Sequence, residues 1–161
     1  MSIIKGIIMG VDPSLRSTGI AVADTRQLPW RLVVSLTIRR HPDASFAAHM
    51  AELCGAIGNI MQRAKPTHAA IESAVWVQNH DTALTLAKVE GACIAAMATM
   101  GICPAEYAPR VVKHVVCGNA AASKSTIAAA VSATLNLSAP LMFDESDAAA
   151  VAICHARIWA D

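Results

Sequence analysis

Gly6 to Val11 (GIIMGV) is an apolar, β-branched run too short for a helix, and Asp12-Pro13-Ser14 ends it. Such a run reads as a buried central strand with Asp12 at its C-terminal tip, and it sets the frame for everything after it. Gly19 to Ala23 (GIAVA) and Trp30 to Arg39 (WRLVVSLTIR) repeat the strand signature with turn residues between them, so the first 40 residues form an antiparallel meander. From Ser45 the period changes: Phe46, Met50, Leu53, Ile57, Ile60 and Met61 recur at helical spacing up to Lys65-Pro66. Thr67 to Ser73 is another short buried strand. Asp81 is placed to cap a long Ala-rich helix ending near Gly101, and Ile102 to Ala108 reads as a fifth strand. Two short helices follow, one with Pro109 in its first turn and one with Ser123 at its N-cap, and a last helix begins at Asp144 and runs to about Trp159. The expectation is one α/β domain over residues 1–161, a five-stranded mixed sheet flanked by helices.

At 161 residues such a chain buries roughly two thirds of the surface of its unfolded form, and needs no disulfide or zinc staple to fold. Its interior must be mainly Ala, Val, Ile, Leu and Met, because 55% of residues are hydrophobic and only 4% aromatic. Thirteen basic against 12 acidic side chains exclude nucleic-acid binding by bulk charge alone. Five cysteines, with no C-x-x-C pair, argue for a reducing compartment. Lys5 interrupts the first apolar stretch, and the weakly polar run from Gly91 to Cys103 is shorter than the roughly 20 residues of a membrane span. A cytoplasmic protein with no membrane partner is expected.

Four carboxylates stand at the edges of elements that are otherwise apolar. Asp12 ends the first strand, Glu72 ends the fourth, and Asp144 and Asp147 open the last helix, where a spacing of three puts both on one face. Gathered in one partly buried place they would repel strongly unless cations neutralised them. Oxygen ligands without a neighbouring His-His or Cys set point to Mg²⁺, with Mn²⁺ as an alternative, and clusters of this kind commonly serve two-metal phosphoryl chemistry. Each acid also has an ordinary explanation: a turn aspartate, a solvated strand end, an N-cap and a first-turn acid. Spacing along the chain does not decide between the two.

The residues around these acids resemble the RuvC-type Holliday junction resolvases of the RNase H-like superfamily. MGVDPSLRSTGIAV (9–22) resembles the first family motif and AIESAVWVQNHDTALTLAKVEG (70–91) the second. EYAPRVVKHVVCGNAAASKS (106–125) is similar to the Tyr, Val-Lys and Lys-Ser segment, and DESDAAAVAICH (144–155) to the closing D-x-x-D-A motif. The resemblance implies an RNase H-like fold and puts Asp12, Glu72, Asp144 and Asp147 on the catalytic, metal-binding positions. It puts Arg110, Lys113 and Lys124 on basic positions that contact phosphate. It further implies a homodimer that nicks two strands of a four-way DNA junction symmetrically, using two divalent ions per site and leaving 5′-phosphate and 3′-hydroxyl ends, with a branch-migration motor as a further partner.

The chain departs from the family pattern at three places. Ser14 stands where bacterial members usually carry Gly, Ser73 follows Glu72 in place of Gln, and Val75 takes the position of a Phe that wedges into the junction, with Trp76 beside it. Two roles fit Trp76: stacking on a DNA base, or filling a loop as a half-buried aromatic. His155 lies eight residues past Asp147, roughly 12 Å along a helix, so it is expected to pack and not to share a metal. Three other readings stay open at this point: a junction-binding protein that does not cut, an RNase H-like nuclease for RNA:DNA hybrid or other DNA, and an actin-like ATPase, which would need two lobes.

Overall fold

The computed structural model describes residues 3–73 and 80–158. Three strands, β1 (Ile7–Asp12), β2 (Ser17–Asp24) and β3 (Arg31–Arg39), form the expected meander. They are followed by α1 (Phe46–Ala64), β4 (His68–Glu72), α2 (His80–Thr99), β5 (Ala105–Tyr107), α3 (Pro109–Cys117), α4 (Lys124–Thr134) and α5 (Phe143–Ile158). The strand order is β3-β2-β1-β4-β5, with β4 parallel to β1 and β5 parallel to β4. A mixed sheet results, and the C-terminal ends of β1 and β4 point the same way.

Alternation along the strands divides the interior into two layers. Met9, Val11, Ile20, Val22 and Ile71 face α1 and α2, whereas Ile8, Ala21, Ala23 and Ala70 face α3, α4 and α5. The register pairs Val11 with Ile71, so the next residues, Asp12 and Glu72, stand side by side at the strand tips. By the same alternation both fall on the α5 side. The helix that meets the sheet there is built largely of small residues: Ala148, Ala149, Ala150, Ala152 and Ala156 of α5 are all buried. Small side chains let the helix backbone lie directly on the sheet, and glycines complete the fit. A Cβ on Gly10 would meet the Ala148 carbonyl oxygen at 2.1 Å, and one on Gly19, which pairs with Asp12, would meet that of Asp144 at 2.0 Å.

Local signals fix several of the helix ends. The Ser45 and Ser123 hydroxyls accept from the N–H groups of Ala48 and Thr126, both at 3.1 Å, capping α1 and α4. Lys65 leaves α1 in the left-handed region (φ 48°) just before Pro66, and Gly118 does the same for α3 (φ 72°). Three boundaries differ from the sequence-based expectation. α2 starts at His80, so Asp81 sits inside the first turn and acts on the helix dipole, not as the cap. Likewise α5 starts at Phe143 and takes Asp144 into its first turn. β5 shrinks to three residues, because Pro104 cannot donate to a ladder and β4 alone pairs with this edge. α2 also has the length and mean hydropathy (1.2) to cross a membrane by composition, unlike the shorter run read from the sequence.

Candidate active site

Asp12, Glu72 and Asp147 line one cleft of ≈ 250 Å³ together with Lys113 and Lys124, over a floor of Pro109, Val112, Ile127 and Ala150. Four elements supply the polar side chains beyond β1: β4 gives Glu72, α3 Lys113, α4 Lys124 and α5 Asp147. Lys124 Nζ lies 3.2 Å from Asp147 Oδ2, which places an exposed ammonium against a carboxylate that is only 13% exposed. Acids distant in the chain therefore meet at the carboxyl ends of parallel strands, where open α/β sheets gather ligands.

The electrostatics are those of acids crowded out of water. Burial, then the Glu72 and Asp147 carboxylates, push Asp12 up to about 8, with Lys124 opposing. Burial and then Asp147 push Glu72 up to about 7, against Lys113 and Lys124. Asp147 is also raised, by burial first, although its bond to Lys124 works the other way. For Lys124 burial is outweighed by Asp147, Asp12 and Asp144, so its ammonium is held above the usual range. Asp144 acts on Asp12 and Asp147 through charge but does not line the cleft; its backbone carbonyl lies against Gly19.

The donor set fits hard divalent cations. The acids that line the cleft are all carboxylates, no His or Cys joins them, and the charge that raises Asp12 and Glu72 is what a dication would neutralise. Among the described residues no three acidic, His or Cys side chains already surround one point as a finished metal site.

A family model described as crossover junction endodeoxyribonuclease RuvC matches residues 8–155. The RuvC of Halorhodospira halophila is 34% identical over 150 residues, covering 93% of this chain and 89% of the relative, and that of Acinetobacter baumannii is 35% identical over 151, covering 94% and 83%. This chain belongs to the RuvC family. Among solved structures, T. thermophilus RuvC in complex with Holliday junction substrate superposes with a TM-score of 0.86 at 23% identity, over 94% of this chain and 93% of that one, which shows the shared RNase H-like fold. The RuvC match runs from β1 to the last buried turn of α5, and so takes in all four acids and both cleft lysines.

Against the RuvC motifs the remaining candidates divide. Arg110 is exposed on α3, one turn before Lys113 and outside the cleft lining. Trp76, with Val75, lies outside the described residues. His155 packs as expected: it is 2% exposed, its Nδ1 is 2.9 Å from the Tyr107 hydroxyl, and burial followed by the charge of His68 lowers it to about 4. The apolar floor and the contact of α5 with Gly10 and Gly19 were not anticipated from the sequence. The signal was present, since a glycine inside an apolar strand marks close approach of another backbone.

Proposed function

We propose that the chain is a divalent-metal-dependent endonuclease that resolves four-way DNA junctions by paired symmetric nicks, leaving 5′-phosphate and 3′-hydroxyl ends. The observation that carries this reading is the meeting of Asp12, Glu72 and Asp147 with Lys113 and Lys124 in one cleft, in a chain of the RuvC family. Asp12, Glu72 and Asp147, which line the cleft, are the residues that would hold Mg²⁺, or Mn²⁺, two ions per site, with Asp144 completing the set if its side chain turns toward them. Bound there, the ions would make water a better nucleophile at neutral pH and stabilise charge developing at phosphorus. Lys124 holds Asp147 in its place, Lys113 presents a cation to the scissile phosphate, and Arg110 extends the positive charge along α3 toward the backbone on either side.

A two-fold substrate calls for a two-fold enzyme, and α2 supplies a surface for a second copy. Only Val89, Glu90, Cys93 and Met97 of this apolar helix are buried, while Leu84 is half exposed and Ala87, Gly91, Ala95 and Ala98 leave small exposed positions along its length. A homodimer places two clefts on one junction. Trp76 is assigned to base stacking on the strength of its position in the second motif, and a branch-migration motor remains the further partner implied by the family.

The test is cleavage of an end-labelled synthetic four-way junction with Mg²⁺, beside linear duplex and RNA:DNA hybrid at equal enzyme, and with Asp147→Asn as the control. Symmetric nicks whose products a ligase can reseal, absent in the variant, are expected. Binding without nicking, or preference for the hybrid, would overturn the assignment.

A further inference from the structure

The acidic cleft is not the one concentration of charge at this end of the sheet. The β1–β2 turn (13–16) and the segment after β3 (40–44) are joined there: Ser17 pairs with Arg39, and the Arg40 N–H donates to the Arg16 carbonyl at 2.9 Å. Between them Leu15, Arg16, Arg40, His41 and Pro42 line an open cleft of ≈ 460 Å³. The turn is held by the Ser14 hydroxyl, which accepts from the Ser17 N–H at 3.1 Å and donates to the Ser17 carbonyl.

Charge there is poorly compensated. The guanidinium groups of Arg16 and Arg39 make no ion pair or hydrogen bond among the described residues, and both residues are exposed. Arg40 lies over the Phe46 ring, 5.9 Å from its centroid, and donates to the Ala44 carbonyl at 3.4 Å, so its position is fixed while its charge is unneutralised. Asp43 stands 3.7 Å from His41. Three arginines and a histidine thus face solvent from two backbone segments that are bonded to each other.

Their place relative to the acids follows from the register. Asp12 pairs with Gly19, and Ser17, two residues on, pairs with Arg39 one strand further out. Two strand spacings and two residue steps put Arg39 roughly 12 Å from Asp12, three to four base-pair steps of duplex. Lys113 and Lys124 sit on the α3 and α4 side of Asp12, while the arginines sit on the β3 side. Arg39 thus lies at the same end of the sheet as the acids, with Arg40 beside it over Phe46.

We propose that Arg16, Arg39, Arg40 and His41 form a second phosphate-contact subsite, which grips the sugar-phosphate backbone of a junction arm beyond the scissile bond. The inference rests on the junction-cleaving reading above and adds to it where the substrate leaves the cleft. Contacts of this type fix register on nucleic acid without reading sequence.

The experiment is anisotropy titration of a fluorescent synthetic four-way junction, with Ca²⁺ in place of Mg²⁺ so that binding is read alone, repeated over a range of salt. Arg16→Ala, Arg40→Ala and the double variant are compared with Arg16→Lys, Arg40→Lys, and with Arg63→Ala near the C-terminus of α1, at the opposite end of the sheet. The double variant is expected to bind about tenfold or more weakly near physiological salt, and its plot of log K against log salt to flatten by about two, near one for each phosphate that is no longer gripped. The lysine variants should keep the slope, and Arg63→Ala should match the wild type. Unchanged slope in the double variant, even with weaker binding, or equal loss in Arg63→Ala, overturns the subsite. A wild-type protein that does not bind the junction takes down the junction reading and the subsite together, whereas normal wild-type binding with an unchanged double variant takes down the subsite alone.

Discussion

The carbonyl oxygen of Asp144 occupies the space that a side chain on Gly19 would need, 2.0 Å from an ideal Cβ. Because Gly19 also pairs with Asp12, one backbone contact sets the distance between the acid at the tip of β1 and the acids on α5. Gly19→Ala is therefore expected to destabilise the fold by more than about 2 kcal/mol, since backbone meets backbone and no flexible side chain can yield. Urea denaturation gives the first effect. Loss of cleavage that excess Mg²⁺ does not restore gives the second.

Asp12→Asn is expected to abolish cleavage while making the metal-free protein more stable. With its folded value near 8 and its unfolded value near 3.8, Asp12 gives a stabilising contribution that is complete below pH 3.8 and lost as pH rises through 8. Above that range the buried anion is a liability, and the amide removes it. A gain of about 1–3 kcal/mol at pH 8 that vanishes toward pH 4 should appear in melts with EDTA. Equal stability of the two proteins at pH 8 would contradict this crowding of charge.

Divalent ions should bind in exchange for protons. Asp12 and Glu72, raised to about 8 and about 7, are partly protonated at neutral pH, so Mg²⁺ affinity should climb between pH 6 and 9 and level off above it. Calorimetry in buffers of different ionisation enthalpy reads the released protons directly. Chelation of the metal should stop cleavage and leave the protein folded.

Lys124→Gln should slow cleavage about 10²-fold without weakening junction binding to the same degree. The lysine lies 3.2 Å from Asp147, and on the proposed mechanism its charge stands where phosphate approaches. Single-turnover rates against a binding titration separate the two.

Tyr107→Phe should cost about 1 kcal/mol by removing the hydroxyl from His155, with junction cleavage retained. His155, lowered to about 4 from an unfolded value near 6.5, contributes stability that is present above pH 6.5 and lost as pH falls through 4. Acid unfolding over that window should be shallower in His155→Gln than in the parent.

Much of this was legible in the chain, for identifiable reasons. β1 and β2 were readable because central strands are apolar on both faces, and the acids because each broke an apolar pattern. The 144/147 spacing placed two acids on one helix face, but it gave no sign that Asp144 would stay outside the cleft lining, which depends on how α5 is set against the sheet. The pairing of Lys124 with Asp147 and the joining of Arg16 to Arg40 were not legible either, since both depend on which separate segments the sheet brings together. β5 was overextended because an apolar run does not reveal that it has one neighbour and a proline.

From Ser146 to Ala156 every residue of α5 except Asp147 is buried, and the same helix brings two of the four acids to the end of the sheet. Scaffold and scissors are therefore one piece. A copy that begins to come apart loses its edge at the same moment, so a damaged molecule is expected to be blunt and not indiscriminate.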